Sequence, residues 1–478
     1  MNRRHFLSTL AGAAVAQAQP PARLPNFVFI LADDLGVRDL TPDGNTFHET
    51  PAMDQLVRDG VRFTNAYAAC PVCSPTRASI MTGKYPSRLK VTDWIAGRRQ
   101  WPTARVITPP NKLQLGLEEI TLAEALKPLG YTSAHIGKWH LGGQGYEPEK
   151  QGFDLNIAGD HRGSPRSFFG PFDMPNFPAG SKDDELTERL TDEACAYLAK
   201  QRAGQPFFLY FAHYTVHTPI QAREAMVARY RAKLEGKPFP DPTYAAMVES
   251  LDKSVAAVRR TLVQSGLARD TVIIVFSDNG GLRYEGSGKR LITTNAPYRA
   301  GKGHLYEGGI RSPFYIHWPG VTQPGRVIDT PASSVDFFPT LLEMAGSKPP
   351  RPVDGVSLAP LLRGGSAPNR DAIFWHYPHY SNQGGVPGGA IRMGDWKLIE
   401  FYEDSRLELY NLKDDPSETR NLALRNAAKA RELHARLKQW RIDTNALMPD
   451  PNPAYDPATA NQGLTGAEPP TPPLTPSA

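Results

Sequence analysis

The sequence predicts an α/β fold in which helices flank a large, mostly parallel sheet, followed by a smaller α+β domain with an antiparallel sheet. Three continuous apolar segments, residues 26–31, 207–211 and 272–276, have the length of strands. Unbroken apolar runs of this length are typical of strands buried on both faces, as in a parallel sheet. A long helical pattern that stops before Gly266 lies between the last two segments, and its apolar positions are Met247, Leu251, Val255, Val258 and Leu262. This alternation of strands and helices favours a sheet covered by helices on both faces.

Local signals set the bounds of shorter elements. Thr50 and Pro51 begin a predicted helix over residues 51–59, because threonine caps helices and proline suits the first helical position. Thr121 and Glu124 form a capping-box pattern at the start of a helix that ends at Gly130. Further predicted elements are a strand at 132–135, a strand at 314–318, more polar strands at 390–392 and 396–401, and a charged helix at 422–440.

The character of the chain changes near residue 346, where a Pro-rich break begins. We therefore predict a larger domain over residues 23–345 and a smaller domain over residues 346–450. Residues 451–478 are rich in Pro, Thr and Ala, which favours a tail that wraps the surface or stays disordered.

Composition excludes several classes of protein. The chain has 478 residues, 40% of them hydrophobic and 22% charged, as expected for a folded globular protein. Its 54 Lys and Arg against 49 Asp and Glu leave a net charge of only +5 without a basic stripe, so a nucleic-acid-binding role is not expected. Three cysteines cannot form a disulfide framework at this length. The Cys70-x-x-Cys73 spacing allows a redox or zinc pair, but a second pair of zinc ligands is missing from the sequence.

The first 18 residues have the layout of an export signal. Arg3, Arg4, Phe6 and Leu7 precede a mildly apolar stretch over residues 10–18 that ends in small residues. The pattern looks like a twin-arginine signal, which implies a periplasmic or secreted protein, and the alternative is a frayed cytoplasmic tail. This stretch is too short to span a membrane stably, and no other segment approaches that length.

A short helix with a cysteine at its start is the most informative local feature. Pro75 suits the first helical position, Ser74 can cap the helix, and Gly83 marks its end. Residue 73 therefore faces the positive end of a helix dipole, and Arg77 follows one turn later. Both features favour a bound anion next to Cys73.

Polar side chains follow four of the predicted strands, at the edge where ligands of parallel sheets bind. Carboxylate and amide oxygens are ligands that Ca²⁺ prefers, and two acidic pairs in one place would repel each other without a cation. A single acidic pair after a strand is more often a helix cap or a solvated loop. The residues are Asp33, Asp34, Asp278 and Asn279 as metal ligands, with Lys138, His140 and His217 beside them.

Two further segments can bring cations to this edge. Lys138 and His140 are two residues apart, so in an extended segment they project to one side while Trp139 points into the core. A glycine-rich loop over residues 295–313 can place Lys302 above the pocket. Taken alone, each of these residues is more often structural or solvated than functional.

The order and local setting of these motifs resemble those of formylglycine-dependent sulfatases, in the arylsulfatase family of the alkaline phosphatase superfamily. The resemblance is close over residues 25 to 345 and looser through residues 394–397 and 408–412. It is carried by the Asp-Asp pair after the first strand, C-x-P-x-R, Gly-Lys-x-His, His-x-Pro, Asp-Asn-Gly-Gly and the glycine-rich loop with its lysine. Arg38 departs from the aromatic or small residues expected nearby, and we expect it to bear on the substrate.

The resemblance implies a catalytic domain at residues 23–345 and hydrolysis of sulfate esters. Cys73 would be oxidised to formylglycine by a formylglycine-generating enzyme, and its hydrate would attack sulfur. One Ca²⁺ ion would be held by Asp33, Asp34, Cys73, Asp278 and Asn279. Catalysis would involve Cys73, Arg77, Lys138, His140, His217 and Lys302.

A sulfated sugar is the expected substrate, and aromatic loops at residues 93–94, 167–180 and 374–380 suit sugar rings, although such loops more often pack locally. Two alternatives remain: a phosphodiester or phosphonate ester hydrolase on the same fold, and a secreted glycan-binding protein with an unmodified cysteine.

Overall fold

The computed structural model describes residues 23–285 and 290–460. The export signal predicted for residues 1–18, and residues 461–478 of the predicted tail, lie outside these ranges. The strands are β1 (Asn26–Ala32), β2 (Val61–Phe63), β3 (Ala66–Tyr67), β4 (Val106–Ile107), β5 (Thr132–Gly137), β6 (Leu155–Ile157), β7 (Phe207–Ala212), β8 (Thr271–Ser277), β9 (Tyr284–Glu285), β10 (Arg290–Leu291), β11 (Phe314–His317), β12 (Arg326–Ile328), β13 (Ala332–Ser333), β14 (Ile373–Tyr377), β15 (Gly388–Met393), β16 (Trp396–Phe401), β17 (Leu407–Asn411) and β18 (Asp450–Pro451).

The α-helices occupy much of the chain between the strands. They are α1 (Pro51–Asp59), α2 (Cys73–Thr82), α3 (Pro86–Leu89), α4 (Leu122–Leu126), α5 (Leu186–Ala199), α6 (Glu224–Lys233), α7 (Pro242–Gln264), α8 (Glu307–Ile310), α9 (Phe337–Met344), α10 (Ala359–Leu362) and α11 (Ala427–Asp443). None of the helices in the described ranges combines the length and apolar character needed to cross a bilayer.

The large sheet has eight strands in the order β12-β2-β11-β8-β1-β7-β5-β6. Strand β1 is central and pairs in parallel with β7 and β8, and only β11 runs antiparallel to its neighbours. The predicted α/β sheet is therefore confirmed.

Both faces of the sheet are covered, as the unbroken apolar runs predict. Successive residues of β1 alternate between two hydrophobic clusters: Phe27, Phe29 and Leu31 join α2 and α9 on one side, whereas Val28 and Ile30 join α5 and α7 on the other. Because every residue of β1 is buried, its carboxyl end is fixed rigidly between the two helical layers.

The second sheet is antiparallel and has the order β14-β15-β16-β17. Helix α11 packs on it through Leu433, Leu437 and Trp440. This confirms the predicted α+β character of the C-terminal part. The described tail returns to the first domain, where β18 pairs with β4 and Trp101 Nε1 donates to Ala460 O at 2.9 Å.

Two predicted helix starts are wrong. Helix α2 begins at Cys73 with Val72 at the N-cap, whereas Ser74 and Pro75 lie inside its first turn. Ser74 Oγ instead accepts a hydrogen bond from Ile95 N at 3.2 Å. Helix α11 begins at Ala427 instead of residue 422, because Leu422 N donates to Leu409 O at 2.8 Å and so pairs with strand β17.

The other local signals agree with the structure, except that the Thr50 side chain does not cap α1: its Oγ1 accepts a hydrogen bond from Thr41 N at 2.9 Å instead. Both hydrogen bonds of the capping box are present: Glu124 N donates to Thr121 Oγ1 at 3.2 Å, and Thr121 N donates to Glu124 Oε2 at 2.8 Å. Gly130 ends the following 3₁₀ turn in the left-handed conformation. Gly83 ends α2 with a φ of 69°, where its missing Cβ would lie 2.9 Å from Phe338 Cβ.

Candidate active site

The carboxyl ends of strands β1, β5, β7 and β8 meet at one edge of the large sheet. Asp33 and Asp34 follow β1, Asp278 and Asn279 follow β8, and all four side chains are fully buried. Asp34 N donates to Asp278 Oδ1 at 3.2 Å, and Asn279 Nδ2 donates to Asp34 Oδ1 at 2.8 Å. Three buried carboxyl groups and one buried carboxamide therefore form one continuous acidic cluster.

Three cations surround this acidic cluster. Lys138 Nζ lies 2.7 Å from Asp33 Oδ2, and Lys302 Nζ lies 2.7 Å from Asp34 Oδ2. The Arg77 guanidinium donates to Asp278 Oδ2 through Nε at 2.8 Å. Because buried charges are costly unless they are paired, the three cations and the carboxylates stabilise each other.

Cys73 lies in the first turn of α2, and only 2% of its surface is exposed. Its Sγ is 3.3 Å from Nδ1 of His140. His140 Nε2 makes a short contact with the carbonyl oxygen of Ile95, which can only accept a hydrogen bond. The proton therefore lies on Nε2, and the Nδ1 lone pair faces residue 73.

The loop after β8 and the end of β7 bring Lys302 and His217 together. Lys302 Nζ donates to His217 Nε2 at 3.1 Å, and His217 Nδ1 donates to Thr218 O at 3.0 Å. The loop is anchored on either side, since Lys302 N donates to Gly281 O and Gly303 N donates to Pro71 O. Lys302 is therefore the proton donor of this pair.

Burial controls the protonation of the site. It lowers the pKa of His140 well below its ordinary value, and Lys138 adds to this effect. Burial and Lys302 lower the pKa of His217 to about 3. Burial also raises the pKa of the Cys73 thiol. At neutral pH both imidazoles are uncharged and can accept a proton, whereas an unmodified Cys73 is a thiol and a poor nucleophile.

The acidic cluster has the chemistry of a site for a hard divalent cation. Among the described residues, Asp33 Oδ1 and Asn279 Oδ1 are buried oxygens without a hydrogen-bond donor. Burial and the neighbouring Asp278 carboxylate raise the pKa of Asp33 to about 8, as expected when adjacent carboxylates lack a cation. Asp33, Asp34 and His217 each offer one ligand atom within 4.8 Å of the others, and His217 was not among the predicted metal ligands.

A pocket of about 250 Å³ opens above these groups. Sequence reasoning missed several of its residues, because loops distant in the chain supply them. Gly163 lies so close to His140 that a Cβ at this position would be 2.5 Å from the imidazole Cε1. The residues lining the pocket are Cys73, Trp94, Ile95, His140, Gly163, Ser164, His217, Lys302 and Asn382.

Comparisons with known proteins agree with this geometry. A family model described as Sulfatase matches residues 25–347. A sulfatase of Formosa agariphila is 32% identical to this chain, and the match covers 88% of the chain and 89% of that protein. The chain belongs to the sulfatase family. It is therefore a sulfuric ester hydrolase of the alkaline phosphatase superfamily.

Other matches extend the sulfatase similarity to both sheets. A model described as N-sulphoglucosamine sulphohydrolase, C-terminal, matches residues 300–444. An N-acetylgalactosamine-6-sulfatase of Mus musculus is 34% identical over 77% of this chain and 71% of its own length. The crystal structure of Ps i-CgsB in complex with k-i-k-neocarrahexaose has a TM-score of 0.74 and 26% identity, covering 91% of this chain and 95% of that one.

All of the site residues predicted from the sequence of this sulfatase lie at the same sheet edge. Arg77, Lys138 and Lys302 contact the acidic cluster, and His140 contacts Cys73. Of the aromatic loops expected to face a substrate, only Trp94 lines the pocket within the described residues. Trp375 and Tyr377 instead pack in the core beneath the C-terminal sheet.

Proposed function

We propose that this sulfatase hydrolyses sulfate esters of a carbohydrate, with an oxidised form of Cys73 as nucleophile and one bound Ca²⁺ ion. The observation that carries the proposal is the contact between residue 73 and the unprotonated Nδ1 of His140. A base in contact with residue 73, next to three cations, suits attack on an anionic sulfate group.

The proposal includes conversion of Cys73 to formylglycine by a formylglycine-generating enzyme and an external oxidant. One hydroxyl of the formylglycine hydrate is the nucleophile and becomes sulfated. When the second hydroxyl loses its proton, the aldehyde C=O bond re-forms and the C–O bond to sulfate breaks, with its electron pair leaving on sulfate. The raised pKa of the Cys73 thiol supports the need for this modification, because a buried thiol is a weak nucleophile. The export signal predicted at residues 1–18 leads us to propose a periplasmic or secreted location.

The side chains around residue 73 have separate roles in this proposal. His140 takes a proton from a hydroxyl group at residue 73, since its Nδ1 lone pair faces that residue. Arg77 and Lys138 offset negative charge on the sulfate oxygens. As the S–O bond to the carbohydrate breaks, its electron pair moves to the leaving oxygen, where Lys302 delivers a proton. His217 holds Lys302 in place through the 3.1 Å hydrogen bond.

Asp33, Asp34, Asp278 and Asn279 are the residues that we propose hold Ca²⁺, with residue 73 beside them. Asp33 Oδ1 and Asn279 Oδ1, which accept no hydrogen bond from the residues that the structure describes, support this assignment. When bound, the ion supplies positive charge that favours the anionic substrate and its transition state.

A sulfated carbohydrate is the substrate class that we favour. One similar protein is named for N-acetylgalactosamine 6-sulfate, and one similar structure holds neocarrahexaose. The pocket supports such a ligand because Ser164 and Asn382 offer hydrogen-bonding groups beside the ring of Trp94.

Release of inorganic sulfate from a panel of sulfated mono- and disaccharides tests the proposal. We expect sulfate release from at least one sugar, loss of release with a chelator, and recovery with Ca²⁺. Matching phosphate and phosphonate esters are the control substrates, and faster turnover of these esters would contradict the assignment. Mass spectrometry of the peptide over residues 62–77 reports the change from thiol to aldehyde, and a purely glycan-binding protein would retain the thiol.

A further inference from the structure

A second cavity, of about 200 Å³, lies beside the loop that follows the metal-site residues of β1. Arg38, four residues after Asp34, lines it, so the two Cα atoms are at most about 14 Å apart. The opposite wall comes from the loop that leads to Lys302, through Thr293 and Thr294. The next residue of this loop is Asn295, whose Oδ1 accepts a hydrogen bond from the backbone N–H of Gly281 at 3.1 Å. Gly281 itself follows Asn279 by two residues. Short loop segments therefore connect the walls of this cavity to the metal-site residues and to Lys302.

Arg38 brings a positive charge to this cavity. The nearby carboxylates do not accept hydrogen bonds from its guanidinium. Within residues 23–285 and 290–460, no group accepts a hydrogen bond from its guanidinium, although the Asp43 carboxylate is near enough to attract it. The oxygens of Asp43 already accept from Arg62 and Tyr315. Those of Asp39 accept from Gly36 N, Tyr244 and Thr293. A guanidinium free to form paired hydrogen bonds suits a planar or tetrahedral oxyanion.

The loop around Arg38 is held in place before any ligand binds. Asn45 Nδ2 donates to Arg38 O at 2.9 Å, and Asn45 Oδ1 accepts from the backbone N–H groups of Phe47 and His48. Gly44 adopts a φ of 94°, and a Cβ there would lie 3.1 Å from Arg38 Nη2. The glycine thus leaves the space in which the guanidinium packs, and the site is preorganised.

The rest of the wall suits a sugar better than a simple anion. His48 Nδ1 lies 2.8 Å from the carbonyl oxygen of Asp39 and must donate to it, which leaves Nε2 as an acceptor for a hydroxyl group. Thr294 adds a hydroxyl, and the rings of Phe47 and Phe239 supply apolar surface. Aromatic faces combined with a few fixed polar groups are typical of carbohydrate sites.

We infer that this cavity binds a second sulfated sugar unit of the same glycan chain whose reacting sulfate occupies the catalytic pocket. Arg38 pairs with the second sulfate, and His48 and Thr294 bind ring hydroxyls. The inference rests on the proposed function and extends it, because it assigns the enzyme a preference for oligosaccharides over single sulfated sugars.

Calorimetric titration of the full-length chain carrying Cys73→Ala, which cannot turn the ligands over, tests this assignment. The probes are tetrasaccharides of κ-carrageenan and of chondroitin 6-sulfate, with galactose 4-sulfate and N-acetylgalactosamine 6-sulfate as the matching single sugars. We expect at least one tetrasaccharide to bind about tenfold more tightly than its single sugar. Adding Arg38→Gln should bring the ratio of the tetrasaccharide affinity to the single-sugar affinity close to one, since a charge-assisted hydrogen bond contributes about a factor of ten to binding.

Arg260→Gln is the matched control. Arg260 is exposed on α7, 16 residues after Tyr244, and is therefore about 24 Å along the helix from the residue that contacts Asp39. In the Cys73→Ala chain, Arg260→Gln should leave the ratio of the tetrasaccharide affinity to the single-sugar affinity unchanged. An Arg38→Gln substitution that weakens the binding of both ligands equally, or of neither, would overturn the inference, as would a ratio near one in the Cys73→Ala chain with Arg38 intact. Failure to release sulfate from any ester, together with an intact Arg38-dependent ratio, would contradict the proposed function alone.

Discussion

The imidazoles of His140 and His217 are both uncharged at neutral pH, but they face groups of different chemistry. His140 directs a lone pair at residue 73, whereas His217 directs a lone pair at the Lys302 ammonium group. The backbone carbonyls of Ile95 and Thr218 fix these two tautomers. As a result, the pocket has a proton acceptor on the side of residue 73 and a proton donor beside His217.

Cys73→Ala should abolish sulfate release, because it removes the atom that we propose becomes the nucleophile. Cys73→Ser keeps a hydroxyl group but lacks the second one, so it should turn over far more slowly than the mature enzyme. Steady-state sulfate release, with thermal unfolding to check the fold, measures both effects. Wild-type turnover by Cys73→Ala would refute the role assigned to this residue.

Lys302→Met should slow the reaction in proportion to how much the leaving group needs a proton. For a sugar sulfate, whose alkoxide is a poor leaving group, we expect a loss of roughly 10²-fold in kcat. For 4-nitrophenyl sulfate the loss should be much smaller, because nitrophenolate leaves without protonation. Measuring kcat on both substrates decides the point, and equal losses would show that Lys302 acts through charge or folding instead.

At the scale of secondary structure, the site depends on two parallel strands that end side by side. Strands β1 and β8 pair from Asn26 and Thr271 through Ala32 and Ser277, so their next residues emerge in register. The polar pairs at 33–34 and 278–279 meet for this reason. A cation that binds between them should therefore stabilise the folded chain as well as the site.

Calcium should raise the unfolding temperature of the wild-type chain, and Asp278→Asn should remove most of that increase. At about 100 times its Kd, an ion that binds only the folded state stabilises it by about 2.7 kcal/mol. Differential scanning calorimetry with and without Ca²⁺ measures the shift. Asp329→Asn, which changes an exposed carboxylate, is the control and should keep the full response. An undiminished shift in Asp278→Asn would argue against a role for this carboxylate in binding the ion.

The parts of the site that follow strands were predictable from the sequence, and the parts that depend on distant loops were not. The apolar runs before Asp33 and Asp278 locate both pairs, because a buried strand must end where polar residues begin. Gly163 and Asn382 had no such signal, since they reach the pocket only through contacts between loops far apart in the chain. Arg38 differs from the aromatic or small residues expected near it, but the cavity beside it forms only when residues 38–48 meet residues 239–240 and 292–296.

For the whole molecule, the interface between the two sheets fixes the loop that carries Lys302. Glu307, five residues later, accepts hydrogen bonds from Tyr67 and Arg311 of the first part of the chain. It also lies 3.0 Å from Lys397 Nζ on β16, and Lys397 lies 2.8 Å from Glu418. Glu307, Lys397 and Glu418 are all fully buried, so this cluster stabilises the interface only while it is complete.

Lys397→Met should destabilise the whole chain by about 3–5 kcal/mol, because it leaves two buried carboxylates without their shared cation. Urea unfolding at pH 7 measures the change in the free energy of unfolding. Lys413→Met, at an exposed lysine, is the matched control and should change it by less than about 0.5 kcal/mol.

The pH dependence of the Lys397→Met variant provides a second check. Burial raises the pKa of Glu418 from 4.5 to about 7 even with Lys397 present, and losing the ammonium group raises it further. A carboxyl group with a raised folded pKa binds its proton more tightly in the folded state than in the unfolded state, so its effect on stability becomes less favourable as the pH rises. Lowering the pH from about 7 toward 4.5 should therefore restore part of the stability that Lys397→Met loses relative to the wild type. If the difference in stability between the two proteins were the same at both pH values, the loss could not come from an unpaired Glu418 carboxylate and would instead reflect the packing of the methionine.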